Sequence, residues 1–490
     1  MIILIFLFHN KYGDIMHKSV WYEGVKIDKN KPLNKNITAD IFIIGGGITG
    51  LSIAYHLKDS HYKICLVDQG TIGCSTTSKS TGKLTYMQDQ IYNSIQKIYN
   101  EDIALKYLQS QVEAINIIKD IIDNNNIKCD LRSTKSIIFT STKSSIKKLK
   151  QEKNLFIKGN VEVNESNIDI FNSKYSIEVS NTYCINPLKY VNNLKKIIKD
   201  KIDIYEDTRI IKTVKEKDYY ISKTKDNIIK SKIVIYANHY PWFLKPSFIP
   251  LKTYKEKSTI VAYQIDETKD ISGINIDKET ISFRYYQDYF IYLNDTHKIC
   301  DNDKMNIDTF KHKLGIPKID YIWSNHDLIT FDRMPLIGQI DDNMFLATGY
   351  NTWGLTNGSL AGKIISNIIL NKENDYIALF NPKRALNISV LKNIISNMTY
   401  NIKAYVKPKR DNIYYEYEGN QKMAVCRDDN GIEHKVFTKC PHMKCGLIFN
   451  KNDNTWDCPC HGSRFDIDGN CVLGPSNEDI KVTFKKNNDK

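Results

Sequence analysis

No apolar run in this 490-residue chain is long enough to cross a bilayer. Met1–Phe8 is apolar, but a spanning helix needs about 20 such residues. It has neither a basic stretch before it nor a small-residue cleavage site after it, so it makes a poor secretory leader. Met16 is a plausible alternative start, which would leave the first fifteen residues outside the folded protein. These absences predict a soluble, cytoplasmic protein with no membrane span. No basic run interleaved with aromatics occurs, so nucleic acid is not an expected partner. There is no internal repeat. Only one Gly-x-Gly-x-x-Gly appears, which argues against an enzyme with two dinucleotide sites of that kind.

The length leaves room for two or three domains with real cores. A hydrophobic content of 41% is ordinary for a soluble chain, and abundant Ile, Lys and Asn point to an AT-rich genome. The net charge is +13, yet residues 415–490 carry eleven Lys/Arg against twelve Asp/Glu. The basic excess therefore lies in the first 414 residues, spread as single lysines such as Lys195, Lys196 and Lys199 on predicted helical surfaces.

Chemistry is concentrated at the two ends. Near the C-terminus stand Cys440-Pro441-His442 and, after fifteen residues, Cys458-Pro459-Cys460-His461-Gly462-Ser463. Two pairs that each mix one Cys with one His suit a two-iron cluster, with thiolates Cys440 and Cys458 on one iron and imidazoles His442 and His461 on the other. Structural zinc is the alternative, but its sites usually pair Cys with Cys and His with His. The segment resembles the cluster-binding loops of Rieske iron–sulfur domains, and Gly474-Pro475-Ser476 resembles the proline loop that covers their cluster. The resemblance implies a [2Fe-2S] cluster, a disulfide between Cys445 and Cys460, and a hydrogen bond from Ser463 to the cluster. Phe465 stands where high-potential members carry tyrosine, and the missing hydrogen bond implies a lower potential.

At the other end, Ala39-Asp40-Ile41-Phe42-Ile43-Ile44 runs into Gly45-Gly46-Gly47-Ile48-Thr49-Gly50. A helical stretch and a second apolar strand follow, ending in Asp68, eighteen residues after Gly50. In this context the glycines form a dinucleotide fingerprint. Gly45 allows the turn, Gly47 lets backbone approach a pyrophosphate, Gly50 permits close helix–strand packing, and Asp68 accepts from a ribose. The hydroxyl-rich Gly70–Thr85 segment resembles the flavin-contacting loop of the D-amino-acid oxidase and glycine oxidase superfamily. The strand Lys232–Ala237, with the residues up to Trp242, and the segments Thr330–Gly338 and Met344–Gly358 resemble later parts of the same fold. The resemblance implies FAD, contacted also by Thr81, Gly82, Lys83, Gly349, Gly354, Leu355 and Thr356. A helix from about Gly354 to Leu370 would aim its N-terminus at the flavin ring.

The whole chain is similar to bacterial FAD-dependent oxidoreductases fused to a C-terminal Rieske domain. The expected fold is an α/β (α+β) Rossmann-like FAD domain with an inserted substrate domain, followed by a small all-β Rieske domain. The expected division is an extension over 1–37, FAD domain over 38–124, 181–245 and 330–372, substrate domain over 125–180 and 246–329, a linker over 373–412 ending near Lys407–Asp411, and the Rieske domain over 413–490. Helices are predicted over 88–123, 143–158 and Asn186–Asp200, and strands at Ser136–Thr140, Thr259–Gln264, Thr280–Tyr285 and Phe290–Asn294. Arg284 is a candidate for binding a substrate carboxylate, His239 and Lys83 are further catalytic candidates, and Asp332 is expected to fix a turn. Cys65, Cys74, Cys129, Cys184, Cys300, Cys426 and Cys471 read mostly as small buried hydrophobes, with Cys74 inside the flavin loop, where it could matter. The implied reaction is oxidation of a small amine or amino acid by hydride transfer to FAD, with single electrons passing through the cluster to an external acceptor. A redox sensor or docking protein without turnover and a Rieske-fed flavin monooxygenase are the alternatives, and a flavoenzyme with a structural zinc tail is a third.

Overall fold

The computed structural model describes residues 18–166, 168, 170–241, 249–299, 301, 305–385, 387–396, 414–418, 421–427, 431–450 and 453–482. Met1–Phe8, Met16, Trp242, Cys300 and Lys407–Asp411 lie outside the described residues.

The first strand, Ile37–Ile44, lies between the parallel strands Ile228–Tyr236 and Ile64–Val67. Its last four residues are buried, as expected of a strand covered on both faces. Sheet order is Leu336–Asp341, Met344–Thr348, Ile228–Tyr236, Ile37–Ile44, Ile64–Val67 and Asp203–Tyr205, with the hairpin Lys212–Glu216 and Tyr219–Lys223 attached to Ile228–Tyr236. The helix Ile48–Leu57 leaves the first strand and packs on the helix Gly354–Ile369. The two axes approach closely because Gly362 lacks a side chain. A Cβ there would stand 2.5 Å from that of Ser52.

The second sheet is mixed. It runs Tyr321–Thr330, Thr253–Gln264, Tyr289–Lys298, Ser282–Tyr286, Ile271–Asn275, Arg132–Thr140, Tyr175–Cys184 and Lys83–Leu84. The strand Tyr175–Cys184 crosses the boundary expected at 180, and Lys83–Leu84 joins this sheet from within the first FAD segment. The helix predicted over 88–123 is two helices, Ile91–Ile98 and Glu101–Asn124. Asn100 breaks it. Its backbone is extended, its side chain accepts the Ile103 N–H, and Glu101 and Asp102 fill the acidic first turn. The helix Pro187–Ile198 begins where sequence placed it, with proline at its first turn and Asn186 capping Leu188 and Lys189.

After residue 413 the described chain is all β: Tyr414–Glu418, Gln421–Arg427 and Glu433–Phe437 in one sheet, and Ile448–Asn450, Thr455–Asp457, Arg464–Asp466 and Cys471–Leu473 in another. Their shared core includes Val436, Trp456, Phe465 and Ile480. Among the described residues no helix is long and apolar enough to cross a membrane.

Candidate flavin, substrate and cluster sites

A cleft with an empty volume of about 1340 Å³ opens over the C-terminal edge of the parallel sheet. The fingerprint builds one end. Gly45 has φ +109°, and a Cβ on it would meet the Ala237 carbonyl oxygen at 2.6 Å. A Cβ on Gly50 would lie 1.9 Å from the Gly45 oxygen, so Gly50 packs the helix onto the turn and does not itself line the cleft. Gly47 caps the helix without a side chain, leaving the helix N-terminus open to the cleft that Gly47, Ile48 and Thr49 line. Asp68 also lines it and accepts N–H bonds from Gly46 (2.7 Å) and Gly70 (2.8 Å). Burial pushes its carboxyl up to about 6. Each carboxylate oxygen keeps a second lone pair for a ligand hydroxyl. The size of the cleft, the close-approach glycines and the acceptor at the second strand fit FAD.

Gly354 and Leu355, at the start of the long helix, line both this cleft and a neighbouring chamber of about 900 Å³. Thr81, Gly82, Lys83 and Thr356 line the chamber only, and Gly349 the cleft only. Lys83 Nζ donates to Ser282 Oγ at 2.6 Å and to the Gly273 carbonyl at 3.1 Å, with the Trp353 ring 5.5 Å away. Burial lowers its pKa to about 7.

One candidate role is corrected. Arg284 is 1% exposed, and its Nη1 donates to the carbonyls of Thr81, Gly82 and Ile185, while Nε donates to that of Tyr285. Through Nη1 the guanidinium braces the Thr81–Gly82 turn, and it does not line the chamber in which a substrate carboxylate would sit. His239 lines the cleft but not the chamber. Burial, aided by Lys255, lowers its pKa to about 3, so the ring is neutral. Asp332 does fix a turn, accepting the Met334 N–H, and its main partner is Arg384 at 2.8 Å. Cys74 is half-buried and lines neither cavity.

In the C-terminal domain Cys440 and Cys458 are both buried and unbridged, and their thiols lie in hydrogen-bond reach, which helps Cys440 lose its proton. Backbone N–H groups of His442 and Met443 point at the Cys440 sulfur. The His442 and His461 rings stand edge to face, centroids 5.1 Å apart. His461 Nδ1 is buried with no partner, and burial lowers the ring's pKa to about 4, so it is a neutral donor. Two thiols and two neutral imidazoles, one with an orphaned nitrogen, fit a Rieske cluster. Cys445 and Cys460 form the disulfide that ties the two loops together. Ser463 Oγ bonds toward Cys440 and accepts the Ser476 N–H at 2.9 Å, fastening the proline loop over the site.

Sequence reasoning missed what joins the two halves. Leu473–Asn477, the proline loop, forms part of the wall of the flavin cleft. Lys255 Nζ reaches across to the carbonyls of Gly462 (2.9 Å) and Gly474 (2.7 Å). Lys257 and Arg464 both pair with Asp453, at 2.9 and 2.8 Å, and Ser324 bonds both Asp453 and Arg464. Arg209 pairs with Asp479 at 2.6 Å. In the antiparallel pair of strands Thr253–Gln264 and Tyr321–Thr330, one face (Lys255, Lys257, Ser324) docks the cluster domain. The other (Glu256, Ser258, Asn325, Asp327) lines the chamber.

Fold and site together define a flavoprotein oxidoreductase with a built-in Rieske centre. Residues 40–368 match the family model described as FAD dependent oxidoreductase, and residues 404–483 match that of the Rieske [2Fe-2S] domain. The chain belongs to the FAD dependent oxidoreductase family and carries a Rieske [2Fe-2S] domain at its C-terminal end. It is 27% identical to YhfW of Bacillus subtilis (strain 168), named as a Rieske 2Fe-2S iron-sulfur protein, over 95% of this chain and 97% of that one. It is 23% identical to gamma-glutamylputrescine oxidoreductase of Escherichia coli (strain K12), covering 72% of this chain and 89% of that protein. Glycine oxidase from Geobacillus kaustophilus shares the fold, with a TM-score of 0.59 and 15% identity over 71% of this chain and 99% of that one. L-proline dehydrogenase from P. horikoshii gives a TM-score of 0.58 and 16% identity over 71% of this chain and 98% of that one.

Proposed function

We propose that this protein is a dehydrogenase that oxidises a small amine or amino acid and delivers the electrons one at a time to an external acceptor. The observation that carries the reading is the shared wall. The loop that covers the cluster site also bounds the cleft built by the dinucleotide fingerprint. When bound, FAD supplies hydride acceptance and the Rieske cluster supplies one-electron transfer. Oxygen needs no such relay, which favours a dehydrogenase over an oxidase. The names of the relatives, an oxidoreductase of gamma-glutamylputrescine, an oxidase of glycine and a dehydrogenase of L-proline, support the substrate class.

The chain's own residues then have these tasks. Gly45, Gly47 and the helix N-terminus after Gly47 would hold the pyrophosphate, with Gly50 keeping the helix close and Asp68 taking the ribose. Gly349, Gly354 and Leu355 would bound the flavin ring, and the Gly354 helix would turn its positive end toward it. Thr81, Gly82, Lys83 and Thr356, expected as flavin contacts, line the chamber and not the cleft, and would close the substrate side of the flavin. Cys440 and Cys458 would hold one iron, His442 and His461 the other. The test is an anaerobic screen of amines and amino acids against the purified holoprotein, with a one-electron dye as acceptor. Flavin bleaching by members of one class, and faster turnover with the dye than with oxygen, is the expected result. Bleaching by none of them, with tight capture of a protein partner instead, would replace the enzyme by a sensor.

A further inference from the structure

The chamber beside the flavin cleft is lined by three acids, Asp89, Glu256 and Asp327, and three cations, Lys79, Lys83 and Arg333. Glu256 and Asp327 are directly opposite one another in the antiparallel pairing of Thr253–Gln264 with Tyr321–Thr330, and both face the chamber. Like charges directly opposite in a sheet are destabilising, and carboxylates withdrawn from water are costly when unpaired. Among the described residues neither is in a salt bridge; Arg333 interacts with Glu256, whereas the one charged neighbour that shifts Asp327 is Glu256. Burial, with Glu256 opposite, pushes Asp327 up to about 7. The other charged groups of the chamber leave Asp327 unmatched. Arg333 interacts with Asp89 and Glu256, Lys83 is tied to Gly273 and Ser282, and Lys79 interacts chiefly with Arg464 and Asp453.

A second observation points to the missing partner. Asn325, two residues before Asp327 on the same face, is 8% exposed, and its Oδ1 has no hydrogen-bond partner. Its Nδ2 lies 3.4 Å from both Asp327 oxygens, and Oδ1 is a buried acceptor left without a partner on a residue that lines the chamber. Asn325 and Asp327 line both the cleft and the chamber, so they stand where the two cavities meet. An ammonium offers only donors, three of them.

We propose that Asp327 and Asn325 Oδ1, backed by Glu256, form an ammonium-binding subsite at the flavin end of the chamber, so that substrate is recognised through a cationic nitrogen and needs no carboxylate. The substrate class is then an alkylamine, narrower than the amine or amino acid of the preceding reading, on which this inference rests.

The probes are tert-butylammonium chloride and sodium pivalate, matched in shape and opposite in charge. The ammonium has no α-hydrogen to lose, so it binds without reacting. Each is titrated into the oxidised holoprotein while the visible flavin spectrum is followed. The ammonium is expected to perturb the spectrum saturably and pivalate is not. Asp327→Asn is expected to weaken ammonium binding at least about tenfold, the scale of a charged hydrogen bond. Flavin content and the reduced-cluster EPR signal of the variant should match wild type. If Asp327→Asn does not retain flavin, Asn325→Ala is expected to weaken the same binding. Binding of pivalate but not the ammonium, binding of neither, or an unchanged affinity in the flavin-loaded variants overturns the subsite. If no amine bleaches the flavin while tert-butylammonium still binds through Asp327, the dehydrogenase reading fails and the subsite stands. If amines bleach it and Asp327→Asn binds the probe as before, the reverse holds.

Discussion

Phe465 is a single residue whose electrical consequence a redox titration can measure. It is fully buried in the core of the cluster domain, on the strand that pairs Trp456 with it. Its ring can give no hydrogen bond to the cluster or its sulfurs, and such bonds raise the potential. Phe465→Tyr is therefore expected to raise the cluster midpoint in a redox titration followed by EPR, and an unchanged or lower midpoint would remove the argument. Gly50 is constrained on sterics alone. An alanine methyl would meet the Gly45 oxygen at 1.9 Å. Gly50→Ala is expected to destabilise the protein by about 1–3 kcal/mol, typical of overpacking, and to be purified with little flavin. Both residues were legible in the sequence because their neighbours are local. Arg284 was misread for the opposite reason. Its partners are carbonyls of Thr81, Gly82 and Ile185, about one hundred and two hundred positions away in the chain, and no local pattern reveals them.

At the scale of elements, the turn after Tyr321–Thr330 depends on the segment beyond the long helix. Asp332 accepts from Arg384 Nε at 2.8 Å and Nη2 at 3.0 Å, and both side chains are nearly buried. Burial pushes the Asp332 carboxyl up, but Arg384 outweighs it and holds the pKa below the usual range. A depressed carboxyl stabilises the fold above its unfolded pKa of about 3.9, and that contribution is lost as pH falls through the folded value. Arg384→Met leaves a buried charge unpaired and is expected to cost about 3–5 kcal/mol near neutral pH. The gap to wild type should narrow as pH falls from the unfolded value of about 3.9 toward the lower folded one, where Asp332 protonates. Denaturant midpoints across pH check both statements, and a gap that widens in acid would contradict them. Helices and strands were readable where caps and alternation are local, as at Asn186-Pro187. The division of one strand pair into a docking face and a chamber face was not. It requires the register of Glu256 against Asp327, seventy-one positions apart, which composition does not encode.

For the molecule as a whole, electron transfer within the chain depends on how the cluster domain sits on the flavin half. Lys255 is the link that touches both the second cluster loop and the proline loop. It bonds a carbonyl of each, and stands over the Tyr240 ring at 5.1 Å. Lys255→Met is expected to leave flavin and iron content intact. It should also speed proteolysis between the domains and, below about pH 7, where the buried Lys255 is charged, lower the cluster midpoint, because a nearby cation favours the reduced, more negative cluster. Faster electron arrival at the cluster in this variant would contradict the assigned link. The two cofactor motifs were legible from spacing, whereas the shared wall of Leu473–Asn477 became visible only when the chain was folded.

The most direct test of that wall is to mix the oxidised holoprotein with a substrate amine in the absence of oxygen and of any mediator, freezing samples over time for EPR and flavin absorbance. Transfer within one chain predicts that the reduced-cluster signal grows in step with flavin bleaching, at a rate independent of protein concentration. Bleached flavin beside an oxidised cluster, or a rate that falls on dilution, would contradict it.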